Sequence, residues 1–405
     1  MTIDASLFAH IHNDAFLAGT YKLQGQRFSK TVEYLSTYLN KIHEQGEIIP
    51  PKYAQLMKEL QYLQQVENSL ETCKLDEEVT PIAKRIVHAL SSKLTGNKSI
   101  LIPGGWSTQS GGHAMVYQFT KSLEGYRFTV FNSGGGLEHH AKKSIRKKEL
   151  YNPKRVWSIP LPKNDKEKEE LDHFIERLLQ AKIAPSYSNI KKEVDETVLY
   201  EEILPSISYL GATEIDPSED MPEHAYTGGQ LSGTCAQRSL HQMLKINSDN
   251  LESYQQFIFN FKMHSLREYT QLCFEGKQPF NHAVAEQIYL AIDNSFKILN
   301  APPLFPEKIQ KQYVSELKQL KKEVSERASH LKKQTQTDVF KPYPIPSIGD
   351  SLIKAPMIIL KDSTLSSKKP ALIDSCDQLS LLDRLDKTIA DIRKLDDPAV
   401  KYAYL

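Results

Sequence analysis

The stretch from Gly228 to Leu240 constrains this 405-residue chain most, because it reads as a glycine-containing turn that leads into a helix with a cysteine at its first position. Thr234 and Gln237 have the Thr-x-x-Gln spacing of a capping box, in which two side chains satisfy backbone N–H groups at a helix start. Cys235 follows the cap directly. The positive end of the helix dipole lowers the pKa of a thiol there and favours the nucleophilic thiolate. A lone cysteine is more often a small buried apolar residue, so the rest of the chain has to decide between the two interpretations.

Two alternating runs upstream of the cysteine predict a β-hairpin between residues 113 and 131, with a short turn in the middle. If the turn centres between Ser122 and Leu123, His113 and Asn132 are direct cross-strand partners, with Cβ atoms about 4.5–5.5 Å apart. A slip of one residue would send the two side chains to opposite faces of the hairpin. The alternative is that His113 merely begins a strand and that Asn132 merely ends one, since asparagine is common in turns.

Catalysis by a thiol requires a general base, a group that orients the base and donors for an oxyanion, and this chain offers a candidate for each. Cys235 is the predicted nucleophile, His113 the general base and Asn132 the orienter that holds the imidazole by a hydrogen bond. Gln230, shortly before the cysteine, is the predicted oxyanion-hole donor. The residues expected to line the substrate cleft are Trp106, Gly111, Gly112, Gly229 and Gly233. Taken singly, each residue also has an ordinary explanation as a loop amide, a core aromatic or a turn glycine.

The order histidine, asparagine, glutamine, cysteine resembles the Ulp-like (SUMO-protease, clan CE-type) superfamily of cysteine proteases, over roughly residues 98–250. In that family the histidine starts a strand, the orienter ends the next strand, and a glutamine stands a few residues before a cysteine that opens a helix. The residues of this chain that follow that layout are His113, Asn132, Gln230 and Cys235.

The chain also departs from the family. Asn132 stands where the SUMO proteases usually have aspartate, although papain-like enzymes use asparagine in this role, and Ala114 stands where a tryptophan commonly follows the histidine. The segment between Asn132 and Gln230 is long, and the spacing from Gln230 to Cys235 is close to the family pattern without being identical. The resemblance therefore concerns the superfamily more than one particular activity.

The resemblance implies a thiol protease that hydrolyses a peptide or isopeptide bond of ubiquitin or of a ubiquitin-like protein, which would be its partner. Some relatives are deubiquitinases that intracellular bacteria inject as effectors, so action inside a host cell is part of what the resemblance implies. Other members of the fold are acetyltransferases, and an acyltransferase that uses the same Cys235–His113 pair is the nearest alternative. It would need an acyl-donor pocket, which a sequence cannot display. The alternative from another class is a non-catalytic helical protein-binding module.

A metal site is the remaining alternative, since Glu138, His139 and His140, together with His113 or Cys235, offer zinc ligands. Adjacent histidines on a turn rarely face one centre, and no pair of histidines at helical spacing supports such a site. We therefore expect no metal and no cofactor.

The predicted fold class is α+β, and the resemblance implies a small papain-like or Ulp-like cysteine protease core between two helical regions. Residues 1–97 have the apolar spacing of helices, and residues 98–250 hold the core, in which a hairpin and sheet carry the catalytic helix. An insertion occupies about residues 141–225 of that core. Residues 251–405 are again mostly helical and include a long charged helix, which is typical either of a structural scaffold or of helices that bind another protein.

Charge and composition argue against several classes of protein. The formal net charge is +1, which gives no global attraction for nucleic acid. No run of about 18 apolar residues occurs, so we expect no membrane span. The first residues lack a basic region followed by a long apolar stretch, which predicts no secretory signal peptide. The four cysteines lie far apart without metal-finger spacing, which favours reduced thiols in the cytoplasm. Export into a host cell by a non-classical route would leave the same pattern.

Overall fold

A computed structural model describes most of the chain. The described residues are 3–12, 28–44, 51–73, 76–92, 98–108, 111–145, 147–183, 194–216, 221, 225–228, 235–248, 250–300 and 304–337. The chain divides into two compact units, Met1–Lys332 and Lys333–Leu405, and the sheet and the candidate site belong to the first unit.

Helices dominate the described part on both sides of a run of strands. The helices are α1 (Ala5–Ile11), α2 (Phe28–Glu44), α3 (Pro51–Glu71), α4 (Thr80–Ser92), α5 (Asp165–Gln180), α6 (Cys235–Asn247), α7 (Leu251–Phe274), α8 (His282–Leu299) and α9 (Glu307–Thr337). The strands are β1 (Ser99–Thr108), β2 (Gly111–Lys121), β3 (Gly125–Phe131), β4 (Lys142–Ile145), β5 (Lys148–Tyr151), β6 (Lys154–Pro160) and β7 (Thr213–Ile215). Among the described helices, none is long and apolar enough to cross a membrane.

Asparagine side chains fix where three of the helices begin. Asn164 accepts a hydrogen bond from the N–H of Glu167 at 2.9 Å at the start of α5, and Asn250 and Asn281 cap α7 and α8 in the same way. Each cap satisfies an N–H that has no partner inside its helix. Beyond the caps, apolar residues recur at helical spacing, so that α5 buries one face against α4 and β1.

A five-stranded antiparallel sheet forms the centre of the first unit, in the order β1-β2-β3-β6-β7. The strands β4 and β5 form a separate hairpin between β3 and β6. An isolated antiparallel bridge between Tyr151 and Thr227 ties the segment that precedes α6 to the end of β5. The β4–β5 hairpin therefore holds the chain at Thr227, eight residues before α6 begins at Cys235.

The sheet separates two hydrophobic cores, because side chains alternate between the faces of a strand. On β2, Ala114 and Val116 belong to one core, and Met115 and Tyr117 belong to the other. The first core contains residues of α1–α3 and α6–α9, and we call it the α6 core. The second contains residues of α4, α5 and the turns between Val198 and Ile207, and we call it the α5 core.

The structure confirms an α+β arrangement of N-terminal helices, a central antiparallel sheet and a C-terminal helical region. Helices that precede and follow the sheet share the α6 core, and the region predicted as an insertion, 141–225, contains β6 and β7 of the main sheet. The division at residues 97 and 250 stays a prediction, and residues 338–405 of the last region lie outside the described residues.

The expected register of the hairpin between β2 and β3 is wrong by two residues. Lys121 pairs with Tyr126, where the expected register would pair it with Glu124. The turn therefore centres one position later than expected, between Leu123 and Glu124. The N–H of Ser122 donates to the carbonyl oxygen of Gly125 at 2.8 Å and closes this tight turn.

Gly125 gives the physical reason for the shift, since it belongs to the strand and not to the turn. A Cβ atom at this position would lie 2.0 Å from the carbonyl oxygen of Ile159 on β6, so only glycine allows the two strands to approach so closely. A shift of two residues preserves the face of every side chain, because the pleat of a strand repeats every two residues. His113 and Asn132 therefore still meet despite the incorrect register.

Candidate active site

The candidate nucleophile is the first residue of α6, as the sequence predicts, and its predicted cap lies outside the described residues. Cys235 is 3% exposed and packs in the α6 core. The N–H of Ala114 on β2 donates to its Sγ at 3.3 Å. One turn later, the hydroxyl of Ser239 donates to the carbonyl oxygen of Ala114 at 3.1 Å. The start of α6 is thus held against β2 by two contacts to the backbone of one strand residue.

The candidate base, His113, lies near the start of β2 beside Trp106 of β1. The two residues are cross-strand partners, and their ring centroids are 4.9 Å apart. Gly105 precedes the tryptophan with φ +111°, and a Cβ atom there would lie 1.8 Å from the carbonyl oxygen of His113. Only glycine fits this left-handed position so close to the next strand. The close approach places the tryptophan ring against the imidazole, which is 8% exposed.

The candidate orienter, Asn132, follows β3 directly and is fully buried. Its Oδ1 lies 2.6 Å from Nε2 of His113 and also accepts the N–H of Gly134 at 3.0 Å. Its backbone N–H donates to the carbonyl oxygen of Pro153 at 2.8 Å, which ties the end of β3 to the chain that enters β6. The structure therefore brings His113 and Asn132 into the contact that the sequence predicts.

The thiol completes this arrangement, because Cys235 lies close enough to His113 for the imidazole to lower the pKa of the thiol. Burial raises the pKa of the Cys235 thiol, but the hydrogen bond and charge of His113, the N–H of Ala114 and the charge of Lys182 outweigh it and hold the pKa below its ordinary value. Since Nε2 of His113 faces Asn132, Nδ1 is the ring nitrogen left for the thiol. A thiolate beside an imidazolium is the reactive form of a nucleophilic cysteine.

The other described cysteines lack such surroundings. Cys73 and Cys273 are buried, and burial raises the pKa of both thiols, that of Cys273 to about 11. A buried thiol with a raised pKa behaves as a small apolar side chain. Among the described cysteines, Cys235 therefore stands apart as the one whose thiol pKa is lowered.

Two buried residues that sequence reasoning missed extend the polar contacts beyond Asn132. Its Nδ2 donates to the hydroxyl of Tyr200 at 2.8 Å, and that hydroxyl lies 2.9 Å from Nε2 of His140. Nδ1 of His140 lies 2.8 Å from the carbonyl oxygen of Asn152. Tyr200 lies on a π-helical turn, Val198–Ile203, that is distant in sequence from the hairpin. No pattern in the sequence signals that this turn reaches the site.

The residues that the sequence offers as zinc ligands do not all face one centre. Both ring nitrogens of His140 have hydrogen-bond partners. Among the described residues, Glu138, His139 and Glu196 have ligand atoms within 4.8 Å of one another, so these three could hold a cation. Burial, followed by the hydrogen bond and charge of Glu138, raises the pKa of Glu196 to about 7, so the two carboxyl groups share a proton below that pH.

The predicted substrate cleft is described only in part. Trp106 packs on the candidate base, and Gly111 and Gly112 pair with the end of β1 at the first two positions of β2. Gly228 is the last described residue before α6. The predicted positions that lie outside the described residues are Gly229, Gln230 and Gly233. The oxyanion-hole role of Gln230 therefore stays a prediction.

Comparison of the chain with known protein families, with characterised proteins and with solved structures finds no match. The resemblance to the Ulp-like superfamily thus rests on the residue order alone, and the function has to be argued from the chemistry of the site.

Proposed function

We propose that this protein is a thiol protease that hydrolyses a peptide or isopeptide bond, with Cys235 as nucleophile, His113 as general base and Asn132 as orienter. The observation that carries the proposal is the convergence of the three side chains: Sγ of Cys235 accepts the N–H of Ala114, the residue after His113, and Nε2 of His113 lies 2.6 Å from Oδ1 of Asn132. Three elements that are distant along the chain supply these groups, namely the starts of α6 and β2 and the end of β3. A cysteine that only fills space in a core requires none of these partners.

In the proposed reaction, His113 carries the proton in both half-reactions. Its Nδ1 takes the thiol proton, and the Cys235 thiolate attacks the acyl carbon to form a C–S bond. The imidazolium then gives that proton to the leaving amine as the C–N bond breaks, which leaves a thioester. In the second half, Nδ1 takes a proton from water, the oxygen of that water adds to the thioester carbon, and Cys235 leaves as the thiolate.

The oxyanion that forms in each half-reaction needs hydrogen-bond donors. The backbone N–H of Cys235 is one candidate, because the first N–H groups of a helix have no partner within the helix. Gln230 is the second candidate, as the sequence predicts. The same proposal includes a papain-like or Ulp-like core, for which the packing of α6 on β2 and β3 is the support.

The burial of the site bears on the substrate. Cys235 and His113 are both buried, and Trp106 packs on the imidazole. Because so little of this nucleophile is exposed, we expect it to react with an acyl residue that has a small side chain and lies at the end of an extended chain. A residue with a bulky side chain would reach the thiol less easily. Together with the resemblance to the Ulp-like superfamily, this supports ubiquitin or a ubiquitin-like protein as the substrate. The resemblance alone supports the further proposal that the protein is a bacterial effector that acts in a host cell.

The decisive experiment is covalent labelling with ubiquitin and a panel of ubiquitin-like proteins that carry a C-terminal propargyl or vinyl sulfone group. We expect one of these probes to label the wild type and to fail with Cys235→Ala. Cys273→Ala is the matched control, since it removes another buried thiol, and it should keep full labelling. Labelling that survives Cys235→Ala, or its absence with every probe, would contradict the proposal.

The acyltransferase alternative predicts a different result in the same assay. An acyltransferase would form a thioester on Cys235 from a small acyl-thioester donor and would not react with the ubiquitin-type probes. Intact-mass measurement of wild type and Cys235→Ala after incubation with such a donor separates the two activities. A binding module would react with neither class of reagent.

A further inference from the structure

A buried polar chain runs from Asn132 through Tyr200 and His140 to the carbonyl oxygen of Asn152. All four residues are buried. A polar group in such surroundings is costly unless each donor meets an acceptor, so the positions of the protons can be deduced from the contacts.

The deduction starts at His140, whose Nδ1 faces a group that can only accept. The carbonyl oxygen of Asn152 lies 2.8 Å away, so Nδ1 carries a proton. Burial lowers the pKa of His140 to about 3, and the neutral ring therefore keeps a lone pair on Nε2. That lone pair accepts the hydroxyl proton of Tyr200 at 2.9 Å, because the other acceptor within reach, Sδ of Met115 at 3.5 Å, is a weak one. Burial also raises the pKa of Tyr200 well above its ordinary value, so the hydroxyl keeps this proton.

The amide of Asn132 is then fixed in one orientation. With its proton directed to His140, the Tyr200 oxygen accepts a hydrogen bond from Nδ2 at 2.8 Å. The second proton of Nδ2 goes to the carbonyl oxygen of Gly135 at 2.6 Å. A flipped amide would set Oδ1 against that carbonyl oxygen and would take the acceptor away from the N–H of Gly134.

The fixed amide in turn places the proton of His113. Oδ1 of Asn132 can only accept, so Nε2 of the neutral imidazole, 2.6 Å away, carries the proton. Nδ1 then holds the lone pair on the side of Cys235. A general base requires this tautomer, because the other tautomer would present an N–H to the thiol.

Tight packing holds the Tyr200 ring where the chain needs it. The ring of His139 stacks on it with centroids 4.6 Å apart and planes inclined by 8°. Gly136 passes the opposite edge with φ +81°, and a Cβ atom there would lie 2.2 Å from Cε2 of Tyr200. The hydroxyl is therefore confined to its position between Asn132 and His140.

We propose that Tyr200 and His140 are positioning residues that select the catalytic tautomer of His113 through the amide of Asn132. The inference rests on the proposed function, because it takes His113 to be the base of Cys235.

The test measures alkylation of Cys235 by iodoacetamide as a function of pH in the full-length protein, with mass spectrometry of the peptides to separate it from the other cysteines. Iodoacetamide reacts with thiolate, so the pH at the midpoint of the rate profile reports the apparent pKa of the thiol beside its imidazole. The measurement needs no biological substrate. Tyr200→Phe keeps the ring that stacks on His139 and removes only the hydroxyl. We expect its midpoint to rise by about one pH unit, which makes alkylation below the midpoint about tenfold slower.

Two substitutions of His140 form a matched pair. His140→Asn keeps an N–H near the position of Nδ1 for the Asn152 carbonyl and removes the acceptor of the Tyr200 proton, so we expect a shift in the same direction. His140→Gln places an amide oxygen near the position of Nε2, and we expect it to restore the wild-type profile. Tyr34→Phe is the control for loss of a buried hydroxyl, because that hydroxyl donates to Glu268, and its profile should not change.

An unchanged midpoint in folded Tyr200→Phe would overturn the inference, and so would equal shifts in His140→Asn and His140→Gln, because they would report lost packing. If Tyr200→Phe does not fold, the two His140 variants decide the question. The other titratable groups that act on this chain are the same in every variant and are Lys182, Glu196, Arg155, His139 and Tyr117. Failure of the proposed function looks different, since the wild-type thiol would then react only at the pH of an ordinary buried thiol and no ubiquitin-type probe would label it.

Discussion

The two faces of the sheet hold their site residues by different means. On the face toward the α6 core, Cys235 is positioned by the packing of α6 and by backbone contacts, in which Ala114 gives its N–H to the thiol and its carbonyl oxygen to Ser239. On the face toward the α5 core, His113 is positioned by a side chain, Asn132, that is itself held by other side chains. The proposed nucleophile thus depends on packing, and the proposed base depends on buried hydrogen bonds.

This difference determines which substitutions should reduce activity most. Each buried donor or acceptor that loses its partner costs about 1–3 kcal/mol, so the chain behind His113 tolerates few changes. Contacts to the backbone of Ala114 survive most substitutions, because no side chain of β2 supplies them. Substitutions on the α5 side should therefore reduce activity more than equally conservative substitutions on the α6 side.

The largest effect is expected from His113→Ala. The thiol loses the partner that lowers its pKa, while the burial that raises it remains, so the thiolate becomes scarce near pH 7. Loss of a general base reduces rates by about 10²–10⁴-fold, and we expect labelling by the ubiquitin-type probe to fall by that range. The measurement is the initial labelling rate at pH 7. His88→Ala replaces an exposed histidine on α4 and should label at the wild-type rate.

A smaller loss is expected from Asn132→Ala. The imidazole keeps its place beside Trp106 but loses the acceptor at Nε2 and with it the preferred tautomer. We expect labelling to slow about tenfold to a hundredfold, which corresponds to one buried hydrogen bond. Asn260→Ala removes an asparagine that accepts the hydroxyl of Tyr313 in the helical region, and it serves as control.

A loss of labelling rate in Asn132→Ala that is larger or smaller than expected would be equally informative. A loss as large as that of His113→Ala would mean that Asn132 does more than orient the base. A wild-type rate would mean that the contact between Asn132 and His113 has no part in the chemistry, which would remove the basis of the comparison between the two faces.

Much of this site could be predicted because its signals are local. A cysteine after a glycine-containing turn marks the start of α6, and alternating residues mark β2 and β3. The hairpin register was wrong by two residues, yet His113 and Asn132 still met, because the face of a side chain depends only on whether the shift is odd or even. The signal for Gly125 was ambiguous, since a glycine at a turn and a glycine at a close strand approach look alike in sequence.

The support behind Asn132 could not be predicted, because it depends on tertiary packing. Tyr200 lies 68 residues after Asn132, on an irregular turn that packs against α5 and brings the hydroxyl to the site. His140 stood out in the sequence as one of two adjacent histidines, and that pattern pointed to a metal and not to a hydrogen bond with a tyrosine. A residue pattern in the sequence shows which side chains share one face of a strand. It does not show which residues of a distant turn will contact that face.

On the α6 side, Ser239→Ala should have only a modest effect. It removes the hydroxyl that donates to the carbonyl oxygen of Ala114, while the N–H of Ala114 still reaches Cys235. We expect a loss of about 1 kcal/mol in the free energy of unfolding and a labelling rate within about threefold of wild type. Ser248→Ala, at the residue directly after the same helix, is the control, because its hydroxyl donates to the carbonyl oxygen of Leu244 in the last turn of α6. A drop in labelling as large as that of Asn132→Ala would refute the proposed difference between the faces.

The smallest effect concerns the acidic pair on the α5 side. Burial and Glu138 raise the pKa of Glu196 from 4.5 to about 7, so between these values the folded protein holds a proton that the unfolded chain has lost. The stability that this proton brings is present at low pH and is lost as the pH rises through about 7. The lowered pKa of Glu138 acts in a separate window, since its contribution is lost only as the pH falls below its unfolded value.

Glu196→Gln should therefore flatten the dependence of stability on pH between about pH 4.5 and 7, because glutamine keeps the N–H donor to Glu138 at every pH. We expect the melting temperature of the wild type to fall by about 1–2 °C more than that of the variant over this interval, a small difference because the pair is partly solvated. Glu201→Gln, an exposed residue on the following turn, should keep the wild-type slope. Parallel curves for Glu196→Gln and wild type would show that the two carboxyl groups titrate independently.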